Sequence, residues 1–593
     1  MRVADYIFNF LVDKGVRNVF MVSGGQAMFL VDAVGRQKEI EVVCTHHEQA
    51  AGMAAEAYGR VTQKLGVALV TAGPGSMNIV NAVAGGWTDS SPMMVISGQS
   101  SLSYVQYQEE TNIRQYGIQG IYIKPIVQNI TKYFVTVDDP AKILFYLQKA
   151  YYYATTGRPG PVWIDVPIDV QKMEVPDRLL EEFEPPLEAY LPDELTDSVE
   201  LLLTTISKAK RPIFLVGQGV RLGGAVDQFY QVLERLAIPV LTSRLGIDLI
   251  NSDHRLYVGR PGIYGERAAN FAIQNADVIV AVGSRLATAL VGYDSKNFGK
   301  QAYKIAVDID KKELNKIGVE INLRIHADVK DFFKEIQRQL VSVSVGDFSQ
   351  WIKQCNDWKK NYPVVLPSYE KEKPVNSYYF TEKLSQVTPS EVMVLVDTGS
   401  CFHVACQAWK IKTGQRFLTT GGLSSMGYWA AVLGVCEANN RKNTIVITGD
   451  GSLQMNLQEL ATIKHYNFPI KVIIFNNNGY LLIRHTQKNY MNSRFCGEGP
   501  DSGVWCPDSL RIAEAYGIKG VRIDSVKGLS EKIKEVIEYP GPVVCDVMTP
   551  EWQLLIPRVS SEKKPDGTLV SKPYEDMYPF LSKKELKQNM LFE

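Results

Sequence analysis

The strongest constraint on this chain is a recurring pattern in which short apolar runs alternate with amphipathic helical stretches. Val16–Val22, Val67–Thr71, Met93–Ile96, Val162–Val166, Ile213–Gly217, Val278–Gly283, Ile305–Asp310, Val392–Asp397, Thr444–Thr448, Val472–Phe475 and Val543–Val547 read as short strands bounded by Gly, Pro or polar turns. A strand with no polar face must be covered on both sides, and the helices between successive strands supply that cover. The expected fold class is therefore α/β with parallel sheets. At 593 residues the chain is too long for one core, and the runs fall into three groups. The expected domains are 1–173, 190–345 and 375–550, followed by a polar, turn-rich tail over 551–593 that packs on a surface. Glu174–Asp197 reads as a Pro-bearing linker, and Phe348–Pro374 as a charged, aromatic connection.

Charge and cysteine usage exclude several function classes. With 64 basic and 64 acidic side chains the formal net charge is zero, so neither a nucleic-acid nor a membrane-surface partner is expected. No uncharged apolar stretch approaches the roughly 18 residues of a spanning helix. Met1–Lys14 carries Asp5 and Asp13 and lacks the basic start and apolar run of a signal peptide. The eight cysteines include no CxxC pair, which argues against a zinc site or a disulfide scaffold and for a reducing cytoplasm.

The sharpest chemical signal lies in the third group. Thr444–Thr448 is followed at once by Gly449-Asp450-Gly451 and by a helix expected over Gln454–His465. A second strand, Lys471–Phe475, runs into Asn476-Asn477-Asn478-Gly479-Tyr480. Both strand ends face the carboxyl edge of a parallel sheet, where such folds bind ligands. Asp450 and Asn477 are hard oxygen donors suited to Mg²⁺, which takes one or two protein ligands plus substrate phosphates. The flanking glycines let backbone approach a diphosphate closely. Each turn alone is commonplace; the two together, 27 residues apart, are far more specific.

This pairing, a GDG followed after 24 residues by NN, is similar to the signature of thiamine-diphosphate enzymes. The resemblance implies that Asp450, Asn477 and the carbonyl of Gly479 hold Mg²⁺, with Asn478 not a ligand. It places Gly449, Gly451, Ser452, Tyr480 and Leu481 against the diphosphate. His46-His47-Glu48-Gln49-Ala50-Ala51, after the strand Ile40–Cys44 and before a helix over Ala51–Gln63, resembles the activating-glutamate segment of the acetolactate synthase group. There a carboxyl on the cofactor's aminopyrimidine drives the imino form that removes the reactive proton. Taken alone, Glu48 is also the kind of charge a helix dipole favours at its N-terminus.

The likeness extends along most of the chain. Gly24 and Gly25, the loop Thr71–Asn78 with Pro74 and Asn78, and Gly421–Gly427 with Gly422, Ser424 and Met426 match cofactor-contacting segments. Met426 would wedge beneath the cofactor, although a methionine also suits ordinary core filling. His403 lies near a diphosphate position, and Gln119 falls at a substrate-side glutamine. Arg484 and His485 would meet an anionic acceptor or solvent. The middle domain carries Gly217-Gln218-Gly219, Gly259–Gly262, Gly283-Ser284-Arg285 and Asp308-Ile309-Asp310 where relatives bind FAD; the alternative is a flavin-free spacer, as in the decarboxylases.

The chain also departs from biosynthetic acetolactate synthases. Met21 and Ser23 replace a Gly and a Pro, Ile118 and Gly120 replace a Phe and a Glu, and Thr486 stands where a Trp shapes the acceptor pocket. These changes and the tail resemble acetolactate-synthase-like proteins of bacterial surface-sugar synthesis. The expected activity is decarboxylation of a 2-oxo acid, pyruvate, with transfer of the acyl unit to a carbonyl acceptor such as a nucleotide-linked ketosugar. The alternatives are an acetolactate synthase proper, a simple decarboxylase, or a non-catalytic thiamine-binding protein. Glu48 of one subunit would serve the cofactor of another, so a homodimer or homotetramer is implied.

Overall fold

The structure, a computed structural model, describes residues 1–176, 180–186, 192–343, 345–563, 566 and 568–592. Three six-stranded sheets, each wholly parallel, organise it. The first runs, edge to edge, Glu41–Cys44, Asn18–Met21, Gly66–Val70, Met93–Gln99, Pro161–Pro167 and Tyr133–Thr136. The third runs Phe417–Thr419, Met393–Val396, Thr444–Gly449, Ile470–Asn476, Val543–Met548 and Lys519–Ile523. Numbered along the chain within each sheet, both have the order 2-1-3-4-6-5. The middle sheet runs Leu323–His326, Tyr303–Asp308, Val278–Val282, Pro212–Val216, Val240–Thr242 and Tyr257–Gly259. That is the doubly wound order 3-2-1-4-5-6, with its switch point between Pro212–Val216 and Val278–Val282.

Uniformly apolar runs do become strands buried on both faces: every residue of Gly66–Val70, Met93–Gln99, Pro161–Pro167 and Val278–Val282 is buried. One core cluster spans the first and third sheets, because helix Glu48–Thr62 packs against helix Val432–Ala438. The crossing is backbone-close. A Cβ on Gly434 would lie 1.8 Å from the carbonyl of Ala54, so only glycine fits there.

Three local expectations need correction. The helix expected from Ala51 begins at Glu48, because the imidazole Nδ1 of His47 accepts the amide of Gln49 at 3.0 Å and caps it. The helix expected over Gln454–His465 is instead a turn over Asp450–Leu453, a 3₁₀ turn over Gln454–Asn456 and a helix over Glu459–His465. The linker's last residues belong to helix Pro192–Lys208, and 177–179 and 187–191 within it lie outside the described residues.

The tail returns to the middle sheet. Val559, Tyr574 and Met577 join the cluster of Ile213, Leu215 and Phe271. Asn270 donates to the carbonyl of Tyr574 at 3.0 Å, Arg267 to that of Pro579 at 2.6 Å, and Asn275 to that of Asn589 at 2.9 Å. Among the described residues no helix is long and apolar enough to cross a membrane.

One buried acid gives the first sheet a pH dependence. Asp165 accepts from Ser97 Oγ at 2.5 Å and Gln99 Nε2 at 3.1 Å, and burial pushes its carboxyl up to about 7 from the ordinary 3.8. The folded state therefore keeps a proton that the unfolded chain loses near pH 4. This group's contribution is fully present below that pH and is lost as pH rises to about 7. Thermal melts between pH 4 and 8 should show that decline, with a shallower slope in Asp165→Asn; equal slopes would remove the assignment.

Candidate active site

The carboxyl edge of the third sheet brings the metal-type residues together. Asp450, 2% exposed, caps strand Thr444–Gly449. Its Oδ1 accepts the amide of Gly451 and its Oδ2 that of Gly479, each at 2.9 Å. Burial pushes this carboxyl up to about 6 against the pull of those amides, so a cation beside it would offset the charge held there. Asn477, at the end of the neighbouring strand, is 3% exposed and its Oδ1 has no hydrogen-bond partner. A buried acceptor without a donor is costly, and a hard cation relieves that cost. Among the described residues no group of three or more His, Cys, Asp or Glu could hold a metal. One carboxylate, one amide oxygen, backbone carbonyl and diphosphate oxygens form a donor set that fits Mg²⁺. Asn478 turns away and donates to Glu551 Oε1 at 2.9 Å.

The glycines around this edge have distinct causes. A Cβ on Gly449 would meet nothing within 4 Å, which leaves that face open, whereas one on Gly451 would lie 2.2 Å from the ring of Tyr480. Gly479 has φ +130°, and its Cβ would strike the carbonyl of Glu498 at 2.2 Å. Leu481 is buried and opens helix Leu481–Tyr490.

Arg484 and His485 are buried and not open to solvent. Arg484, 4% exposed, bonds Glu498 Oε2 at 2.5 Å and donates to the carbonyls of Asn477 at 3.1 Å, Asn478 at 2.9 Å and Glu551 at 2.7 Å. It thus staples the metal turn to the start of the tail. His485 is buried and bonds the carbonyl of Gln553 at 2.9 Å.

The loop Gly421–Gly427 is fixed from the first domain. Asp89 accepts the amides of Gly421 at 2.8 Å and Gly422 at 2.7 Å. Arg60 donates to the carbonyl of Thr419 at 2.9 Å, and Tyr428 donates to Glu56 Oε2 at 2.5 Å. Ser452 donates to Asp397 Oδ2 at 2.6 Å and accepts the amide of Gly427 at 2.8 Å. Between these anchors Gly422 and Ser424 are exposed and Met426 is half-buried, outside the core clusters. Asp89, Glu56 and Arg60 escaped the sequence reading, since a lone acid or arginine on a helix carries no local signal of a partner hundreds of residues away; Asp397 ends a strand, and its partner Ser452 lies beyond the next one.

The first domain presents the second half. Glu48 accepts from Asn78 Nδ2 at 2.9 Å, and its Oε1 would lie 3.4 Å from a Cβ on Gly75. Pro74 begins helix Pro74–Asn78, and Pro74 and Asn78 are exposed. A Cβ on Gly73 would meet the carbonyl of Gln119 at 2.5 Å, so glycine there brings Gln119 against the same loop. Gly24 packs on Thr71 with no room for a Cβ, and Gly25 is exposed. His403 lies in helix Ser400–Ala408. Its ring lies 4.0 Å from that of Tyr264, its Nδ1 is unpartnered, and burial together with nearby Arg244 holds it well below its ordinary value.

A cleft opens at the switch point of the middle sheet, between Gln218, Arg244, Ser284, Arg285 and Asp308, and reaches Gly421.

Comparison with known proteins follows the same division. Residues 1–121 match the N-terminal TPP binding domain of thiamine pyrophosphate enzymes, 199–336 their central domain and 397–547 their C-terminal TPP binding domain. The chain is 31% identical over 565 residues to a probable acetolactate synthase large subunit of Methanocaldococcus jannaschii, covering 92% of each. It is 32% identical over 556 residues to the acetolactate synthase large subunit of Lactococcus lactis, covering 93% of this chain and 92% of that protein. The chloroplastic acetolactate synthase of Arabidopsis thaliana is 29% identical over 579 residues, covering 94% of this chain and 83% of that protein.

Proposed function

Because the chain belongs to the acetolactate synthase family of thiamine-diphosphate enzymes, we propose that it decarboxylates pyruvate and joins the two-carbon fragment to a carbonyl acceptor. The observation that carries this reading is the buried, unpartnered Oδ1 of Asn477 beside Asp450. Asp450, Asn477 and the carbonyl of Gly479 would hold Mg²⁺, which in turn binds the diphosphate. Bound thiamine diphosphate supplies a nucleophilic carbon and a sink for the electrons released with CO₂. Glu48, held by Asn78 Nδ2, would be the carboxyl that exchanges a proton with the aminopyrimidine. Met426, on a loop anchored by Asp89, would lie against the cofactor, and Gln119 would lie on the substrate side.

A second copy of the chain is part of this reading. Met77, Trp87, Leu423 and Met455 are 40%, 39%, 40% and 46% exposed, on or next to the segments that carry Asn78, Asp89, Ser424 and Asn456. Large apolar side chains around a polar site are what a partner covers. Glu48 of one chain then faces the cofactor held by Asp450 of its partner, which makes a homodimer the smallest active unit. FAD is the ligand we assign to the middle cleft, whose place at the switch point suits a dinucleotide.

The acceptor is read as a second pyruvate carbonyl, the chemistry after which the relatives are named. Thr486 is exposed and its hydroxyl bonds the carbonyl of its own helix residue Leu482 at 2.9 Å, which leaves that side of the site open to a larger acceptor. The test is CO₂ release from pyruvate by purified protein with thiamine diphosphate and Mg²⁺, with products identified by mass spectrometry. Acetolactate is the expected product. An acetyl unit gained by an added nucleotide-linked ketosugar would redirect the acceptor, free aldehyde would make the enzyme a simple decarboxylase, and no CO₂ would end the pyruvate reading.

A further inference from the structure

Gln119 sits at the tip of a turn that its own residues do little to hold. Residues 111–119 are exposed except for the half-buried Gly117, and Ile118 is 77% exposed. Gln119 has φ +59°, in the left-handed region that a residue with a Cβ adopts only where its surroundings keep it there. Its carboxamide bonds to none of the described residues. A Cβ on Gly120 would lie 2.1 Å from the carbonyl oxygen of Tyr116, so the tightness of the turn demands glycine at a position where the chain departs from biosynthetic acetolactate synthases.

The anchor of this turn lies beneath it, at the carboxyl end of strand Met93–Gln99. Gln99 is 1% exposed, and both ends of its carboxamide are bonded. Its Nε2 donates to the carbonyl of Ile121 at 3.0 Å and to Asp165 Oδ2 at 3.1 Å, while its Oε1 accepts the amide of Ser100 at 2.9 Å. Two acceptors on one side and a donor on the other settle which way the carboxamide points. Asp165, fully buried on the adjacent strand Pro161–Pro167, is the acceptor that holds it from below. The neighbouring Ser100 Oγ reaches the carbonyl of Ile118 at 3.4 Å, and Gln26 Nε2 reaches the same carbonyl at 3.3 Å. A further tie, from Tyr122 to Glu109 at 2.5 Å, runs to helix Leu102–Thr111, where only Val105 and Gln108 are buried. Among these bonds the shortest one into the first sheet is that of Gln99. Above, Gly73 meets the backbone of Gln119 and Gly75 faces Glu48, so one loop brings both groups to the same place.

We propose that Gln99 is a positioning residue, which through its bonds to Ile121 and Asp165 sets the turn that presents Gln119 to the substrate. This rests on reading Gln119 as a substrate-side residue. Gln99 itself is shut off from any ligand, so its effect on turnover passes through Gln119. A displacement of about 1 Å in such a group is enough to cost on the order of 100-fold in rate.

The test measures kcat/KM for CO₂ release from pyruvate by full-length protein loaded with thiamine diphosphate and Mg²⁺. Gln119→Ala and Gln99→Met should each lower it roughly 10- to 100-fold, with thiamine diphosphate affinity unchanged. The double variant should fall no more than about twofold below Gln119→Ala, because nothing is left to misplace. A merely structural role for Gln99 would instead multiply the two losses. Gln99→Asn keeps a carboxamide too short to span Ile121 and Asp165, and it takes the place of Gln99→Met should that variant lose its cofactor affinity. Multiplied losses, or a Gln99 variant as active as the parent where Gln119→Ala is impaired, overturn the proposal and leave the role of Gln119 standing. Gln119→Ala as active as the parent removes the substrate-side reading and the proposal with it.

Discussion

Glu48→Gln should lower pyruvate decarboxylation by roughly 100- to 10,000-fold while leaving Mg²⁺-dependent binding of thiamine diphosphate intact. The glutamine keeps the size of the side chain and can still bond Asn78, which now holds the carboxylate at 2.9 Å. It cannot share a proton with a ring nitrogen. The competing role of Glu48, a charge at the first position of helix Glu48–Thr62, makes a different prediction. Loss of a dipole contact costs about 0.3–1 kcal/mol of stability and leaves turnover untouched. Initial rates of CO₂ release, with cofactor binding followed by protein fluorescence, separate the two. An unchanged rate would withdraw Glu48 from the chemistry.

The second large effect belongs to Arg484, and it is structural. Arg484→Met leaves the Glu498 carboxylate, 7% exposed, without its cation, and leaves three carbonyls at the metal turn and tail without their donor. Breaking one side of a buried pair costs about 3–5 kcal/mol, which should appear as a lower denaturation midpoint. Adding Glu498→Gln removes the stranded charge and should recover part of the stability. It should not recover Mg²⁺ affinity, because the turn carrying Asn477 still lacks the guanidinium. A single variant as stable as the parent would mean that Glu498 finds another partner.

How far the sequence could be read depended on the range of the interaction. Runs such as Thr444–Thr448 announced buried strands because every residue was apolar, and strand and glycines together placed Asp450 at a carboxyl edge. The double asparagine likewise marked Asn477. Arg484 was misjudged because its position after the metal strand suggested an exposed ligand contact, whereas its partners Glu498 and Glu551 come later and are brought back only by the fold. Asp89 and Gly421 lie more than three hundred residues apart, and nothing local links them. The helix at Glu48 was placed three residues late because histidine is an uncommon cap, although its Nδ1 satisfies the same orphan amide that a serine or aspartate oxygen would. The middle glycines stand where relatives have nucleotide-contacting loops, and nothing in the sequence signalled that Gly217 and Gly219 also pack directly on Gly283.

The returning tail has a consequence for how the protein is made. Tyr574 and Met577, 3% and 0% exposed, complete the same core as Ile213, Leu215 and Phe271. A ribosome that has finished the middle domain's strands has yet to synthesise the side chains that close their outer face. At about 5–20 residues per second, the roughly 250 residues from His326 to Tyr574 take on the order of 10 to 50 seconds to emerge. Over that interval helix Arg267–Asn275 waits with its tail-facing side uncovered. The first domain can therefore fold in order of birth, while the second to be translated is the last to be sealed.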